Sequence, residues 1–358
     1  MKSRSMVRVW WWLMLAGMVP VQGIAQDLVE CARVDDDDAR LRCYDQVAGR
    51  QPTPGPEVVP VVKPAALPDP AARDRHQAGD FVAYTREFSP DASPLAVKWE
   101  LDDDTRYGVL RLRTHKPNYL LPWRGSTGIN QNPQSPDHGQ TMAAGGTDLN
   151  PNEAKYQFSF KSKLAQGLAG GRLDLWAAYT QQSNWQVYAE SAPFRESNYE
   201  PEVMAVLHTD RDVLGLRMRF VNFGLVHQSN GRGGALSRGW NRVYAQFGLE
   251  RGNFAVMVRP WYELTGGDNR DNRDISDYMG YGDVLAVYQA GHHSFAALVR
   301  NNLKSSDNRG ALQLDWRFPL YRNLKGYLQF FTGYGETMID YNYRQDVIGI
   351  GISLSDWM

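Results

Sequence analysis

Cysteine is almost absent from the 358-residue sequence, with two residues, and so is any excess of charge, with 39 Lys and Arg against 40 Asp and Glu. Two cysteines exclude a disulfide-rich scaffold and any multi-cysteine metal cluster. A net charge of -1 argues against a nucleic-acid-binding protein, which needs a basic face for the phosphate backbone. Long apolar runs are missing too. Beyond the N-terminus no stretch approaches the eighteen or so apolar residues of a membrane-spanning helix. Glycine (33), tyrosine (18) and tryptophan (11) are plentiful instead, while the mean hydropathy is only -0.50. That combination fits a soluble all-β protein, or a membrane barrel whose apolar residues are diluted by alternation.

The N-terminus reads as a secretory signal over residues 1–25. Lys2, Arg4 and Arg8 precede a short apolar core, Val9 to Val19, and Gly23 and Ala25 supply small residues at the -3 and -1 positions of a cleavage site. The mature chain is therefore expected outside the cytoplasm. In residues 26–50, Cys31 and Cys43 lie twelve positions apart, and export favours a disulfide between them. Asp35 to Asp38 read as a solvated helix start, because the run lacks the spaced ligands and central glycine of a calcium loop. Residues 51–95 read as a linker, since seven prolines fall between Pro52 and Pro70 and no apolar period is visible.

From residue 96 to 358 the pattern is that of strands. Tyr156, Phe158 and Phe160 alternate with Lys155, Gln157, Ser159 and Lys161. Leu312, Leu314, Trp316 and Phe318 alternate with Gln313, Asp315 and Arg317, and the last segment sets Ile348, Ile350 and Ile352 against Gly349 and Gly351. Connections are short and long in turn, as at Gly167–Gly171 against 125–152 and 265–278. This rhythm predicts an all-β fold, an antiparallel transmembrane β-barrel of about twelve strands with a short N-terminal periplasmic extension. Arg217 and Arg219 are expected to face its lumen.

The stretch from Phe220 to Glu250 reads as two strands joined by a glycine-rich loop. Two-residue periodicity carries the face of Val221, Phe223 and Leu225 on into His227 and Ser229, and Asn241 shares a face with Val243 and Ala245. If the apolar face meets lipid, three polar groups sit on the outside of the barrel at the membrane boundary. A structural protein gains nothing from that, whereas an enzyme acting on lipid gains access to its substrate. A serine needs a base within reach, and the base needs a third group to hold its tautomer. His227 and Asn241 have the chemistry for those two tasks.

The longer pattern HQSNGRGGALSRGWNR, residues 227–242, resembles the active-site segment of the outer membrane phospholipase A family, whose pattern is His-x-Ser-Asn-Gly-Arg followed by Ser-Arg-x-Trp-Asn-Arg. APFRESNYEPE at 192–202, RPWYE at 259–263, DISDYMGYGD at 274–283 and GYGETMIDYNY at 333–343 resemble further blocks, and the similarity runs over roughly residues 105–358. The resemblance implies a calcium-dependent serine hydrolase of the outer membrane of a Gram-negative bacterium. It implies cleavage of sn-1 and sn-2 acyl esters of phospholipids and lysophospholipids through an acyl-enzyme. Ser229 is then the nucleophile, His227 the general base and acid, Asn241 its orienting partner and Gly231 the oxyanion N–H donor. Ca2+ is then bound by the carbonyl of Arg232, the hydroxyl of Ser237 and Ser191 of a homodimeric partner, with Asp271 a further acidic ligand. Gln181 falls at an interface glutamine. The loop departs from the family at Gly233, Gly234 and Ala235, where an acidic residue that helps bind calcium outside the dimer is missing. Two other readings compete: a non-catalytic barrel acting as a pore or structural protein, and a soluble periplasmic lipid-binding β protein.

Overall fold

The computed structural model describes residues 30–49, 93–142, 148–264, 271–321 and 324–357. The expected signal peptide and most of the linker lie outside the described residues. The chain divides into two compact units, residues 1–84 and 85–358.

In the first unit, helix α1 (Asp37–Val47) is capped by Asp36, whose side chain accepts a 2.8 Å hydrogen bond from the amide of Ala39. Asp37 and Asp38 fill the first turn, where the helix dipole favours negative charge. Cys31 is bonded to Cys43 on this helix.

The second unit is one antiparallel sheet. Its strands are β1 (Leu112–Thr114), β2 (Tyr119–Ser126), β3 (Asn152–Gly167), β4 (Leu173–Trp185), β5 (Phe194–Val213), β6 (Leu216–Ser229) and β7 (Gly239–Arg251). They continue with β8 (Phe254–Glu263), β9 (Gly282–Ala290), β10 (His293–Asn301), β11 (Gly310–Tyr321), β12 (Leu324–Tyr334) and β13 (Arg344–Ser353). From β2 on, each strand pairs with its neighbour in sequence, and β13 pairs with β2, so the sheet closes on itself. β1 and β2 both pair with β3, opposite Ser162–Phe160 and Gln157–Asn152 respectively. They are two halves of one barrel position, interrupted at Pro117, which has no N–H to give the ladder. Thirteen strands therefore make a closed barrel of twelve positions.

Side chains alternate across the wall as the sequence pattern requires. Phe158, Phe160, Leu314, Trp316, Ile348 and Ile350 are exposed on the outside, and Lys155, Lys161, Lys163, Asp315 and Arg317 are buried inside. Burying charge is costly unless it is paired. The lumen supplies pairs such as Lys163–Asp174 at 2.8 Å and Arg124–Glu153 at 2.9 Å. His115 and His208 find partners there as well, Glu202 at 2.6 Å and Asp174 at 3.1 Å. Arg219 is buried beside Glu250, and Arg217, more exposed at the strand end, pairs with the Asp210 carboxylate that Arg219 also reaches at 3.6 Å.

The barrel carries a stopper. Helix α2 (Pro94–Trp99) starts at Ser93, whose hydroxyl, like the amide of Leu95 (3.0 Å), donates to Glu250 on β7. Its Trp99 packs on Phe220 and Trp176, with ring centroids 5.0 and 6.3 Å away, and Lys161 Nζ lies 3.2 Å from the centre of its ring. Leu95, Trp99, Trp176, Met204, Phe220 and Val287 thus form an apolar core within the lumen. Glycines let aromatic rings lie flat on the wall. Phe220 faces Gly248 and Tyr244 faces Gly224, where an added Cβ would come within 2.2 and 2.3 Å of the ring. No described helix is long and apolar enough to cross a membrane. The apolar exterior belongs to the strands.

Candidate active site

Strands β6 and β7 meet in a register that sets Val226 against Arg242, His227 against Asn241, Gln228 against Trp240 and Ser229 against Gly239. Phe223 and Leu225, half-exposed on the outer face of β6, lead in steps of two to exposed His227 and on to Ser229. Asn241 and Val243 are exposed on the same face of β7. The three residues singled out from the sequence are therefore brought together, on the outside of the barrel, where its apolar band runs into the long loops.

His227 Nδ1 and Asn241 Oδ1 are 2.8 Å apart. Between His227 and Ser229, Gln228 points inward, and its Oε1 accepts from Trp240 Nε1 (2.9 Å) and Arg242 Nη2 (3.0 Å). The hairpin bearing the polar trio is thus fastened from the lumen side.

The loop after Ser229 is organised by Asn230, a residue to which the sequence reading gave no role. Its buried side chain accepts from the amides of Arg232 (3.3 Å) and Arg238 (3.0 Å) and donates to the carbonyl of Leu236 (2.8 Å). Gly231 has φ +64°, a conformation that L side chains rarely adopt, and its Cα lies against the ring of Tyr199. The guanidinium of the next residue, Arg232, pairs with Glu196 (3.4 Å) and donates to the carbonyl of Arg195. Arg195 is itself held by Glu153 and Asp340, each at 2.6 Å.

Three consecutive residues after β8 tie the loops together. Asp271 pairs with His138 Nε2 at 2.9 Å. Asn272 is buried and accepts from the amide of Gly239 at 2.8 Å. Arg273 faces Asp137 at 3.5 Å. Partial burial alone would raise the Asp271 carboxyl, but Ser237 and His138 outweigh it and hold the group below its ordinary range. Farther along, Tyr341 donates to Asp274 at 2.5 Å, and its phenol is pushed well up by burial and that carboxylate.

Among the described residues no group of three His, Cys, Asp or Glu side chains is arranged to hold a metal. The oxygens that the sequence nominates are of another kind, a backbone carbonyl at Arg232, a hydroxyl at Ser237 and the carboxylate of Asp271. Hard oxygen donors of this sort suit calcium. Ser191 is exposed in the β4–β5 loop, with φ +61°, available to a second molecule. Gln181 is on the outer side of β4, accepting from Tyr179 Oη (3.1 Å) and donating to Ser183 Oγ (3.3 Å). Asn272 and His138 were missed by sequence reasoning, because each acts across a contact between loops far apart in the chain.

Residues 95–354 match the family model of phospholipase A1. A putative phospholipase A1 from Neisseria meningitidis serogroup B is 35% identical over 366 residues, covering 96% of this chain and 95% of the relative. Phospholipase A1 of Escherichia coli is 39% identical over 207 residues, 57% of this chain and 70% of the relative. Among solved structures, an active-site mutant of outer membrane phospholipase A from Escherichia coli superposes with a TM-score of 0.64 at 33% identity, covering 73% of this chain and 98% of that one. A calcium-bound dimer of the Salmonella typhi outer membrane phospholipase superposes with a TM-score of 0.65 at 32% identity, covering 75% of this chain and all of that one.

Proposed function

The chain belongs to the phospholipase A1 family, and from that premise we propose that it is a calcium-dependent phospholipase A of the outer membrane using a Ser229–His227–Asn241 mechanism. Its phospholipase activity and its barrel follow from family and fold. The catalytic roles are our reading, and one observation carries it: the 2.8 Å contact of His227 with Asn241, beside Ser229, on the outer face of the barrel.

The chemistry runs as acyl transfer. His227 takes the Ser229 proton as the hydroxyl attacks the ester carbonyl of a phospholipid reaching the site laterally from the membrane. The backbone N–H of Gly231 donates to the developing oxyanion. His227 then gives its proton to the departing alcohol of the lysophospholipid, leaving an acyl-enzyme on Ser229. It next draws a proton from water, which releases the fatty acid and restores the serine. Both sn-1 and sn-2 esters, and lysophospholipids, fit an open site of this kind. Calcium, when bound by the Arg232 carbonyl, the Ser237 hydroxyl and the partner subunit's Ser191, would supply positive charge near the oxyanion. A homodimer therefore completes the site. Asn241 is a neutral acceptor, which avoids setting an anion beside hydrocarbon, where charge is expensive. A pore reading has little support, since α2 fills the lumen at one end.

The test is covalent capture. A long-chain alkyl sulfonyl fluoride should modify Ser229 alone, faster with calcium than with chelator, as read by peptide mass spectrometry. Modification of another serine, or none, would contradict the assignment.

A further inference from the structure

Residues 230–238 connect β6 to β7, and the buried side chain of the first of them bonds to the loop's backbone at three points. Asn230 Oδ1 accepts from the amides of Arg232 (3.3 Å) and Arg238 (3.0 Å), and Nδ2 donates to the carbonyl of Leu236 (2.8 Å). The backbone N–H of Asn230 also donates to the Arg238 carbonyl at 3.0 Å, so the two residues hold each other across the loop's ends.

The bond from the Arg232 amide back to Oδ1 is an Asx-turn, in which a side-chain carbonyl stands in for a backbone one. It closes a ring around Gly231, whose φ of +64° is open to glycine at no steric cost. The peptide plane between Asn230 and Gly231 belongs to that ring, and it carries the Gly231 N–H. Tyr199 leans on the same glycine, with its ring 3.0 Å from where a Cβ would stand. While Oδ1 keeps its bond, the plane has little freedom to rotate. The far half of the loop is held separately. Arg238 Nη1 donates to the carbonyls of Ala235 (3.0 Å) and Ser237 (2.7 Å), and Asn272 Oδ1 accepts from the Gly239 amide at 2.8 Å.

We propose that Asn230 is a positioning residue of the hydrolysis, whose side chain fixes the direction of the Gly231 N–H before substrate arrives. The inference rests on the reading of Ser229 as nucleophile and Gly231 as oxyanion donor given above, and it deepens that reading by naming what aims the donor. A donor aimed in advance needs no reorganisation as charge develops, which is where such groups gain their effect. Asn230 spends its polar atoms on backbone and acts through Gly231. Asparagine suits the task because one planar group offers both an acceptor with two lone pairs and a donor. Aspartate keeps the acceptor that forms the turn, and alanine keeps neither.

The experiment uses the dimeric protein in detergent at saturating calcium. Asn230→Ala should lower kcat about 30-fold, less than the roughly 100-fold for outright loss of a donor, with KM within about twofold. A p-nitrophenyl alkylphosphonate attacked by Ser229 develops the same oxyanion, so its labelling rate should fall in parallel. Affinity for a non-hydrolysable ether phospholipid should stay within about twofold, since the donor is aimed at the transition state. Asn230→Asp should bring both rates back to within about fivefold of wild type. Wild-type rates in Asn230→Ala overturn the proposal. So do equal losses in the two variants, or a fall in ether-lipid affinity that matches the fall in labelling, because both mark a loop that has come apart. Failure of the underlying reading looks different. Wild-type protein labelled at a residue other than Ser229, or Gly231→Ala with unchanged kcat, removes the nucleophile or the donor before Asn230 enters.

Discussion

His227 and Asn241 stand directly opposite each other on adjacent strands, joined by a 2.8 Å contact between Nδ1 and Oδ1. The amide oxygen can only accept, so the proton of the imidazole is on Nδ1 and the lone pair is on Nε2. A general base for Ser229 must have that tautomer. Asn241→Ala leaves the tautomer unfixed, and kcat should fall about 100-fold with KM little changed, within the range by which positioned acid–base groups contribute. Steady-state kinetics on mixed micelles reads this. A fall in substrate affinity at constant kcat would contradict the role.

Gly231 is the loop residue least able to change. At φ +64°, with a Cβ site 3.0 Å from the Tyr199 ring, alanine must move either the backbone or the ring. Gly231→Ala should cost about 100-fold in kcat, comparable to the loss of one oxyanion donor. The urea midpoint of the barrel should not move, because the loop lies outside the sheet.

Glu336, in the loop between β12 and β13, is buried and paired with Arg124 (3.1 Å) and Lys155 (2.9 Å). Burial would raise its carboxyl, but Arg124, Lys155 and Arg195 pull it from 4.5 down to about 2. A depressed folded-state pKa means that its stabilisation is present above the ordinary pKa and is lost as pH falls through the folded value. Wild-type stability should therefore decline between pH 4.5 and about 2, and Glu336→Gln should flatten that part of the profile. At neutral pH the same variant should lose about 3 kcal/mol, because it leaves buried cations uncompensated. Urea unfolding across pH measures both.

Trp99 anchors the stopper, buried against Phe220 and Trp176 and far from the outer face. Trp99→Ala should lower stability by about 3–5 kcal/mol, as large core truncations do. Hydrolysis by the folded fraction should be unaffected. A parallel loss of kcat would tie the lumen to the catalytic face, which this architecture does not require.

Much of this architecture is legible in the sequence. Strict alternation around Phe158, Trp316 and Ile350 reports a wall with lipid on one side and polar contacts on the other, and period two also carries His227 and Ser229 to the outer face. The stopper is not legible. Helix α2 has six residues, too few for an apolar period, and it straddles the linker boundary expected at 95/96. The break between β1 and β2 is equally hidden, since only the shared partner β3 reveals one position in two pieces. Asn230 stands inside the recognised block but acts on backbone groups, and His138 acts across 133 positions of sequence, so neither leaves a local pattern. His115 and His208 likewise meet their lumen partners, Glu202 and Asp174, across long stretches of chain and leave no local pattern.

The most direct test of the account is hydrolysis of phospholipid by the refolded dimer, with calcium and with chelator, for wild type and Ser229→Ala. The account predicts fatty-acid release that requires calcium and falls by roughly 10⁴-fold or more in the variant, as for loss of an activated nucleophile. Release that persists in Ser229→Ala would mean that another residue attacks the ester, and calcium-indifferent release would remove the cation from the mechanism.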